Sequence, residues 1–163
     1  MTVNCEGELQ IASLLMELKQ TWHQTIPVSA LMQIEPLDYR RGQLTVSAPI
    51  TPNINLHQTM FAGSIYTLAT LTGWGMLWLQ QRIAGVDGDI VLADGHIRYL
   101  APIIDTPIAK CIWPETDLSR LPQGRRVKVK LEVELWCEGT LCAVFEGLYV
   151  SQPTRRVSEE LRS

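Results

Sequence analysis

A stretch of 20 residues without a charged side chain, Met60–Leu79, constrains the fold of this chain more than any other feature. It is long enough to span a bilayer as a helix, but glycine and hydroxyl residues dilute its hydrophobicity, and no lysine or arginine cluster flanks one end. A helix that is apolar on every side otherwise forms the centre of a protein core. We therefore predict a buried helix over residues 62–83, terminated by Gly85, Asp87 and Gly88.

The residues around this helix follow simpler patterns. Residues 8–22 carry apolar side chains at three- and four-residue steps, which predicts an amphipathic helix. Alternation of apolar and polar residues predicts strands, most clearly from Val127 to Leu135, and Glu138-Gly139 is typical of a two-residue hairpin turn. The predicted strands are 30–36, 42–48, 89–100, 106–113, 126–137 and 140–150, with a turn at residues 38–42 and a loop at 114–124.

The predicted order is helix, two strands, long apolar helix, four strands, which places the chain in the α+β class. A helix that is apolar all round needs either a curved antiparallel sheet wrapped around it or a second subunit to cover it. Gly73 and Gly75 would let the helix approach the sheet closely. We expect one domain over residues 1–163, with residues 151–163 as a flexible tail.

Composition narrows the function classes. The chain has 163 residues, a net charge of −3 and 46% hydrophobic residues, which excludes a disordered protein and disfavours a general nucleic-acid or membrane-surface binder. The four cysteines do not make a disulfide framework at this length, and no metal-ligand spacing is present. The N-terminus lacks the features of a signal peptide. We expect a cytoplasmic protein with reduced thiols and no metal.

The loop before the long helix, with the first turns of that helix, is the candidate functional site. A helix N-terminus presents free backbone N–H groups and a partial positive charge. The small residues Ala62, Gly63 and Ser64 would let a ligand carbonyl reach those groups, and Asn55 could add a side-chain donor. This is a plausible oxyanion hole for a thioester or its enolate. The alternative is structural: Ser64 or Thr59 caps the helix, and Asn53 and Asn55 form Asx turns.

The segment Asn55-Leu56-His57-Gln58-Thr59-Met60-Phe61-Ala62-Gly63-Ser64, followed by Leu71-Thr72-Gly73-Trp74-Gly75, resembles the thioesterase family of the YiiD C-terminal type. Ile97-Arg98-Tyr99-Leu100-Ala101-Pro102 and the order of elements resemble the same family, which has the hotdog fold. The resemblance covers residues 10–150. It implies a curved antiparallel sheet around one long helix, with an additional N-terminal amphipathic helix in this chain.

The resemblance also implies a homodimer or tetramer with active sites at the dimer interface. Its substrates would be thioesters of coenzyme A or acyl carrier protein, the thiol carrier entering as part of the substrate with no separate cofactor. No nucleic acid or membrane partner is expected. In related thioesterases a loop asparagine, a glycine pair at the helix start and an acid two turns later form the site. Carried over, these positions are Asn55, Ala62 with Gly63, and Thr70.

Thr70 departs from the family pattern, because a threonine hydroxyl cannot act as a general base at neutral pH. His57 in the loop, or Asp94 and His96 reaching across the interface, could replace the missing acid. The alternatives are that His57 orders the loop and that Asp94 and His96 lie on a solvated strand face. Tyr66 either packs against the sheet or extends its hydroxyl to the site. The predicted substrate-binding residues are Phe61, Ser64, Tyr66, Thr67, Arg125 and Arg126.

Three functions remain open from the sequence. The first is hydrolysis of an acyl thioester. The second is decarboxylation of a malonyl thioester, which needs a hole for the enolate oxygen but no general base for bond breaking. The third is a non-catalytic module that binds acyl thioesters, which the missing carboxylate would favour.

A basic cluster stands out on this acidic chain. Five of the 14 lysines and arginines fall within 11 positions: Arg120, Arg125, Arg126, Lys128 and Lys130. They could hold the phosphates of coenzyme A or an acidic carrier-protein helix. Alternatively they form a solvated outer strand face.

Overall fold

The computed structural model describes residues 5–154, which form three α-helices and one six-stranded antiparallel sheet. The strand order in the sheet is β1-β2-β4-β5-β6-β3. The elements are α1 (Cys5–Thr25), α2 (Pro27–Leu31), β1 (Glu35–Arg40), β2 (Gln43–Ser47), a 3₁₀ turn (Thr51–Asn53), α3 (Ala62–Ala84), β3 (Asp89–Tyr99), β4 (Ile108–Ile112), β5 (Val127–Cys137) and β6 (Thr140–Gln152).

The apolar helix α3 lies at the centre of the core, as predicted. Its side chains Leu68, Met76 and Leu77 are fully buried, and the helix contacts strands β2 to β6 as well as α1. Gly85 ends the helix in the left-handed conformation, with φ at 66°. The curved sheet around a long helix, with an N-terminal helix added, is the predicted α+β architecture.

Two glycines of α3 allow close packing, but against different elements. A Cβ at Gly73 would collide with the ring of Tyr149 on β6, and a Cβ at Gly75 would collide with Trp22 of α1. The prediction that both glycines bring the helix close to the sheet holds for Gly73. It is wrong for Gly75, because α1 covers the part of α3 that the sheet leaves open.

The segment between α1 and β2 differs from the prediction. Pro27 occupies the first turn of the short helix α2, where its fixed φ and missing N–H are tolerated. The predicted strand 30–36 is therefore wrong, and β1 begins only at Glu35. The turn after β1 is Arg41-Gly42, with φ values of 48° and 76°. Residues 38–40, predicted as turn, belong to β1.

The C-terminal hairpin follows the prediction more closely. Glu138 and Gly139 both have positive φ, at 49° and 77°, as a two-residue hairpin turn requires. Strand β6 continues to Gln152, and Ser151 is fully buried, accepting a hydrogen bond from Gln81. Residues 151–152 are therefore strand and not tail. The remainder of the predicted tail, residues 155–163, lies outside the described residues.

The two edges of the sheet are unequal. Strand β1 at one edge has six residues, contains Pro36 and is interrupted by a register shift between Pro36 and Asp38. A short strand that contains proline discourages pairing with another strand. Strand β3 at the other edge has 11 residues, pairs only with β6 within the described chain and has a register shift of its own between Leu92 and Asp94. The sheet thus offers one long edge for a further strand.

Candidate active site

The loop before α3 is organised by the side chain of Asn55. Its carboxamide oxygen accepts hydrogen bonds from the backbone N–H groups of His57, at 2.8 Å, and Thr59, at 3.2 Å. Its nitrogen donates to the hydroxyl of Thr59 at 2.9 Å. The Asx-turn alternative is therefore confirmed for Asn55. One carboxamide hydrogen is left for an external acceptor, since the nitrogen carries two.

Asn53 fastens this loop to the core. It is 2% exposed, and its side-chain nitrogen donates to the carbonyls of Met32 and Pro49 at 2.9 and 2.8 Å. Its backbone carbonyl accepts from the Phe61 amide at 2.7 Å. The residue immediately before α3 is thus held through Asn53. The hydrogen bonds of Asn53 thus connect the end of α2, the 3₁₀ turn and the start of α3. No local sequence pattern indicates these contacts.

The first turn of α3 carries no side-chain cap. Phe61 occupies the N-cap position, so neither Ser64 nor Thr59 caps the helix, and that alternative is wrong. Within the described residues, the amides of Ala62, Gly63 and Ser64 have no hydrogen-bond partner. Ala62 is exposed and Gly63 half-buried. The positive end of the helix therefore keeps donors available to a ligand.

Two aromatic residues flank these amides. The ring of Phe61 folds over Gly63, where a Cβ would collide with it, and is itself 55% exposed. The hydroxyl of Tyr99, at the end of β3, donates to the carbonyl of Ala62 at 3.0 Å. Desolvation, and to a smaller degree the nearby Tyr66, raises the pKa of Tyr99. Phe61 and Tyr99 thus form walls of an apolar approach to the helix start.

Thr70 differs from the other threonines in the described helices. The hydroxyls of Thr21, Thr25, Thr67 and Thr72 each donate to the carbonyl four residues earlier, as threonines in helices commonly do. The Thr70 hydroxyl is buried and has no partner. A buried polar group without a hydrogen bond costs free energy. The position that the family comparison assigns to the acid therefore holds an uncommitted hydroxyl.

A tyrosine holds the helix next to Thr70. The hydroxyl of Tyr149 donates to the Thr70 carbonyl at 2.7 Å. Burial raises the pKa of Tyr149, so the hydroxyl stays protonated as this bond requires. The side chain is fully buried, and Gly73 makes room for it. Strand β6 is thereby fixed to the third turn of α3.

The other predicted substrate-binding residues of α3 pack or form hydrogen bonds within the protein. Tyr66 packs edge-on against Phe145, with ring centroids 5.5 Å apart, which agrees with the packing alternative. Thr67 donates to the carbonyl of Gly63 at 2.9 Å. Ser64 is 9% exposed. These residues support the first turns of the helix, and their role in substrate binding stays a prediction.

The β3 candidates lie on the far face of the sheet. Gly95 faces α3, because a Cβ there would meet Tyr66 and Phe145. Since side chains alternate along a strand, Asp94 and His96 point away from α3, and both are exposed. One subunit therefore does not bring them to the helix amides. A contribution from a second subunit stays a prediction, as does the role of His57, which is exposed in the Asn55 loop.

Arg125 and Arg126 lie at the opposite end of α3. Val127, next to Arg126, pairs with Ser151, and Ser151 contacts Gln81 near the helix C-terminus. A helix of 23 residues is about 34 Å long. Within one subunit the basic cluster and the helix start are therefore far apart.

Two cavities lie away from the first turn of α3. One of about 720 Å³ lies between α1 and β1. The other, of about 510 Å³, is called the loop cavity here and is lined by Thr116, Asp117, Arg120, Arg126, Val127 and Lys128. Neither cavity is lined by the first turn of α3.

Exposed apolar side chains surround the helix start instead. Leu56 is 84% exposed, and five further apolar or aromatic side chains of this region are at least 40% exposed: Ile54, Phe61, Tyr99, Leu100 and Ile104. Contiguous apolar surface of this kind marks an interaction site. We call these six residues the apolar ring.

Two further observations concern residues 5–154. No helix in this range combines the length and apolar character needed to cross a membrane. Within the same range, no three histidine, cysteine or acidic side chains are grouped as a metal site. Cys111, Cys137 and Cys142 are buried and form no disulfide.

Comparison with known proteins identifies the family. The model described as "Putative thioesterase (yiiD_Cterm)" matches residues 15–153. The chain belongs to this family. A solved structure from Shewanella oneidensis, also described as a "putative thioesterase", is 66% identical with a TM-score of 0.86, covering 87% of this chain and 99% of the other. A Chlorobaculum tepidum protein of unknown function is 26% identical, with a TM-score of 0.81, covering 88% and 97%.

The Escherichia coli PaaI protein, from the phenylacetic acid degradation operon, shares 14% identity, with a TM-score of 0.67 over 88% of this chain and 96% of its own. At that identity it supports the fold alone. The predicted family and the hotdog fold are thus confirmed, and the thioesterase family places thioester chemistry first among candidate activities.

Sequence reasoning missed two contributors near the site and misjudged a third. Tyr99 contacts Ala62, and Tyr149 holds Thr70. The Asx turn predicted for Asn53 is wrong, because its side chain donates to the carbonyls of Met32 and Pro49 and its own oxygen has no partner. Tyr149 lies 79 residues from Thr70 in the chain, so no local pattern could indicate the contact. The pair Gly73 and Gly147 was a possible signal, because both glycines leave space for the Tyr149 ring.

Proposed function

We propose that this protein hydrolyses acyl thioesters at the N-terminus of α3. One observation carries the proposal: three consecutive backbone amides at this helix end, in a segment of small residues, have no partner within the described chain. Such donors stabilise the negative oxygen that develops when water attacks a thioester carbonyl. The family and its thioesterase description support the same chemistry.

The proposed division of roles follows the contacts. The amides of Ala62 and Gly63 bind the thioester oxygen, and the spare carboxamide hydrogen of Asn55 adds a third donor. His57 activates water from the loop, and Thr70 holds this water or the thioester through its uncommitted hydroxyl. Phe61 and the rest of the apolar ring bind the acyl chain.

The proposed active form is a dimer joined through β3. The 11-residue edge strand has backbone groups available for antiparallel pairing with a second copy. This pairing would cover the apolar ring, which is too exposed in a single chain. It would also enclose the start of α3.

Decarboxylation of a malonyl thioester is a second candidate, favoured by a specific observation. The first turns of α3 contain no carboxylate, and Asp94 lies on the far face of the sheet. Loss of carbon dioxide from a malonyl group needs stabilisation of the enolate oxygen but no base for bond breaking. The same amides would serve both reactions.

The experiment uses purified protein with acetyl, long-chain and malonyl thioesters, both of coenzyme A and of acyl carrier protein. Hydrolysis releases free thiol, whereas decarboxylation converts malonyl thioester to acetyl thioester. Free thiol as the main product supports hydrolysis, and acetyl thioester supports the second candidate. Binding without either product contradicts both and favours a non-catalytic module.

The variant Ala62→Pro tests whether the backbone amide of residue 62 takes part in the reaction. Proline at the first helical position removes one amide donor without breaking the helix, and the extended Phe61, with φ −59° and ψ 134°, accepts a following proline. We expect kcat to fall about 100-fold, the usual cost of losing one oxyanion donor. Ala62→Val, which adds bulk but keeps the N–H, is the matched control. Equal losses in both variants would contradict the role of the amide.

A further inference from the structure

The first turn of α3 is tied to the sheet by the side chain of Tyr99. The hydroxyl of Tyr99 donates to the backbone carbonyl of Ala62 at 3.0 Å. Thr67 makes a comparable bond to the Gly63 carbonyl, but from within the same helix. Among residues 5–154, Tyr99 is thus the side chain that reaches a carbonyl of this turn from another element.

The position of Tyr99 is set by the end of β3. Gly95 faces α3, and side chains two and four positions further along the strand share its face, so Tyr99 points towards the helix. Tyr99 pairs with Ala143 of β6, and the amide of the next residue, Leu100, donates to the Cys142 carbonyl at 2.8 Å. The hydroxyl therefore approaches the helix from a strand end that is held by backbone hydrogen bonds.

The bond to Ala62 also acts on the amide of Gly63. The Ala62 carbonyl and the Gly63 N–H belong to one planar peptide group, so a contact that fixes the carbonyl fixes the direction of the N–H. A donor on the carbonyl draws electron density from the peptide nitrogen, and hydrogen bonds linked in this way strengthen one another. The Gly63 N–H has no partner within the described residues, so its donor strength is available to a ligand.

We propose that Tyr99 is a positioning residue, which acts through the Ala62 carbonyl to aim the Gly63 amide at the thioester oxygen and to make this amide a stronger donor. The inference rests on the proposed function, which assigns the Gly63 amide to that oxygen. The hydroxyl must stay protonated, and desolvation, with a smaller contribution from Tyr66, raises the pKa of Tyr99. Because the oxygen carries more charge in the transition state than in the bound thioester, the effect falls mainly on kcat.

Isotope labelling measures the effect on the amide directly. The sequence contains two Ala-Gly pairs, Ala62-Gly63 and Ala84-Gly85. Protein with carbon-13 at the alanine carbonyls and nitrogen-15 in glycine therefore gives two selected amide signals. Tyr99→Phe keeps the ring but removes the hydroxyl, and it should move the Gly63 signal to higher field, because less electron density is drawn from the nitrogen. The Gly85 signal, from the other end of α3, should stay in place as an internal reference.

Kinetics of the full protein with an acyl thioester measure the consequence for the reaction. Tyr99→Phe should lower kcat about fivefold, which is less than the loss of a whole oxyanion donor, and should change KM by less than about twofold because the ring remains. Tyr39→Phe is the matched control. The Tyr39 hydroxyl accepts from Gln80 at 2.7 Å, away from the start of α3, and its removal should leave kcat unaltered.

Two results would overturn the assignment of Tyr99. One is a Gly63 signal that does not move in Tyr99→Phe, and the other is an unchanged kcat in that variant although the signal moves. If the unmodified protein turns over no thioester, the proposed activity fails instead. The Gly63 signal alone then decides whether Tyr99 acts on this amide.

Discussion

Individual residues around α3 differ in how their polar atoms are used. The side chains of Asn55 and Thr67 form hydrogen bonds with nearby backbone groups, whereas the buried hydroxyl of Thr70 has no hydrogen-bond partner. An unsatisfied buried hydroxyl reduces stability, and such costs are often found at functional positions. Thr70 is therefore the α3 residue that a bound substrate or water would satisfy.

Replacement of this hydroxyl by a methyl group tests the idea. Thr70→Val should lower kcat about tenfold, because a donor to the reacting group is lost, while the free energy of unfolding stays the same or rises by about 1 kcal/mol. Thr72→Val is the control: it removes the bond to the Leu68 carbonyl and should cost about 1 kcal/mol without changing kcat. Kinetics and urea denaturation report both quantities. A reversed pattern would assign Thr70 a structural role.

Cys111 gives a prediction of pH dependence. Burial raises the pKa of its thiol from an ordinary value of 9.0 to about 12. The folded protein therefore keeps this proton when the unfolded chain loses it, so its contribution to stability is complete below pH 9 and is lost as the pH rises from 9 towards 12. The loss should be about 1.4 kcal/mol per pH unit for one group in that window.

Urea unfolding between pH 8 and pH 10.5 measures this slope. Cys111→Ala lacks the thiol and should lose stability less steeply with rising pH, although it starts from a lower value because of the smaller side chain. Identical slopes in the two proteins would contradict the assignment.

At the level of elements, the helix α3 and the strand β6 are linked by more than apolar packing. Tyr149 donates its hydroxyl hydrogen to the Thr70 carbonyl, so a strand side chain takes part in the hydrogen bonding of the helix. Gly73 is required at the contact, since any larger residue would meet the tyrosine ring.

Tyr149→Phe should reduce the free energy of unfolding by about 1 kcal/mol, because the buried hydrogen bond to the Thr70 carbonyl is lost while most of the ring packing remains. Tyr99→Phe removes a hydroxyl from a side chain that is 49% exposed, and should cost less than half as much. Chemical denaturation of both variants measures the difference. Equal costs would show that the buried bond of Tyr149 stabilises the fold no more than the exposed bond of Tyr99.

At the level of the whole molecule, the two edges of the sheet differ in what they offer to a second copy of the chain. The β1 edge is short and interrupted by Pro36, whereas the β3 edge is long and adjoins the apolar ring. Covering the ring would remove exposed apolar surface from water and complete the site at the start of α3. Association and activity are therefore expected to fail together.

Leu100→Glu tests this coupling. Leu100 follows β3 in the apolar ring and is 51% exposed, so a charge there should leave the monomer folded but disrupt the dimer and reduce activity. Leu31→Glu, at a residue that is 77% exposed on α2, is the control and should change neither property. Size-exclusion chromatography with light scattering measures the mass. Full activity in a monomeric Leu100→Glu protein would show that one chain contains the complete site.

The sequence predicts the elements that depend on local chemistry. The absence of charged residues over Met60–Leu79 predicts a helix that is buried on every side. Alternation of apolar and polar residues predicts β5 and β6, because successive side chains of a strand point to opposite faces of the sheet. The strand predicted over residues 30–36 fails because α2 extends through residues 30 and 31 and a turn follows at residues 32 and 33. A helix of five residues is too short to show a helical period in the sequence.

Contacts between residues that are distant in the chain depend on the tertiary structure and cannot be predicted from local sequence patterns. The sequence patterns predicted a buried helix wrapped by a curved antiparallel sheet and located the helix start with its small residues, and the hotdog class followed from the resemblance to a known family. Three features are visible only in the folded chain. The Asn55 side chain hydrogen-bonds to its own loop, and Asp94 is exposed on the face of the sheet away from α3. Tyr149 hydrogen-bonds to the Thr70 carbonyl. The physical reason is that these contacts depend on strand register and on the packing of residues distant in the chain, whereas periodicity reports only which residues are buried.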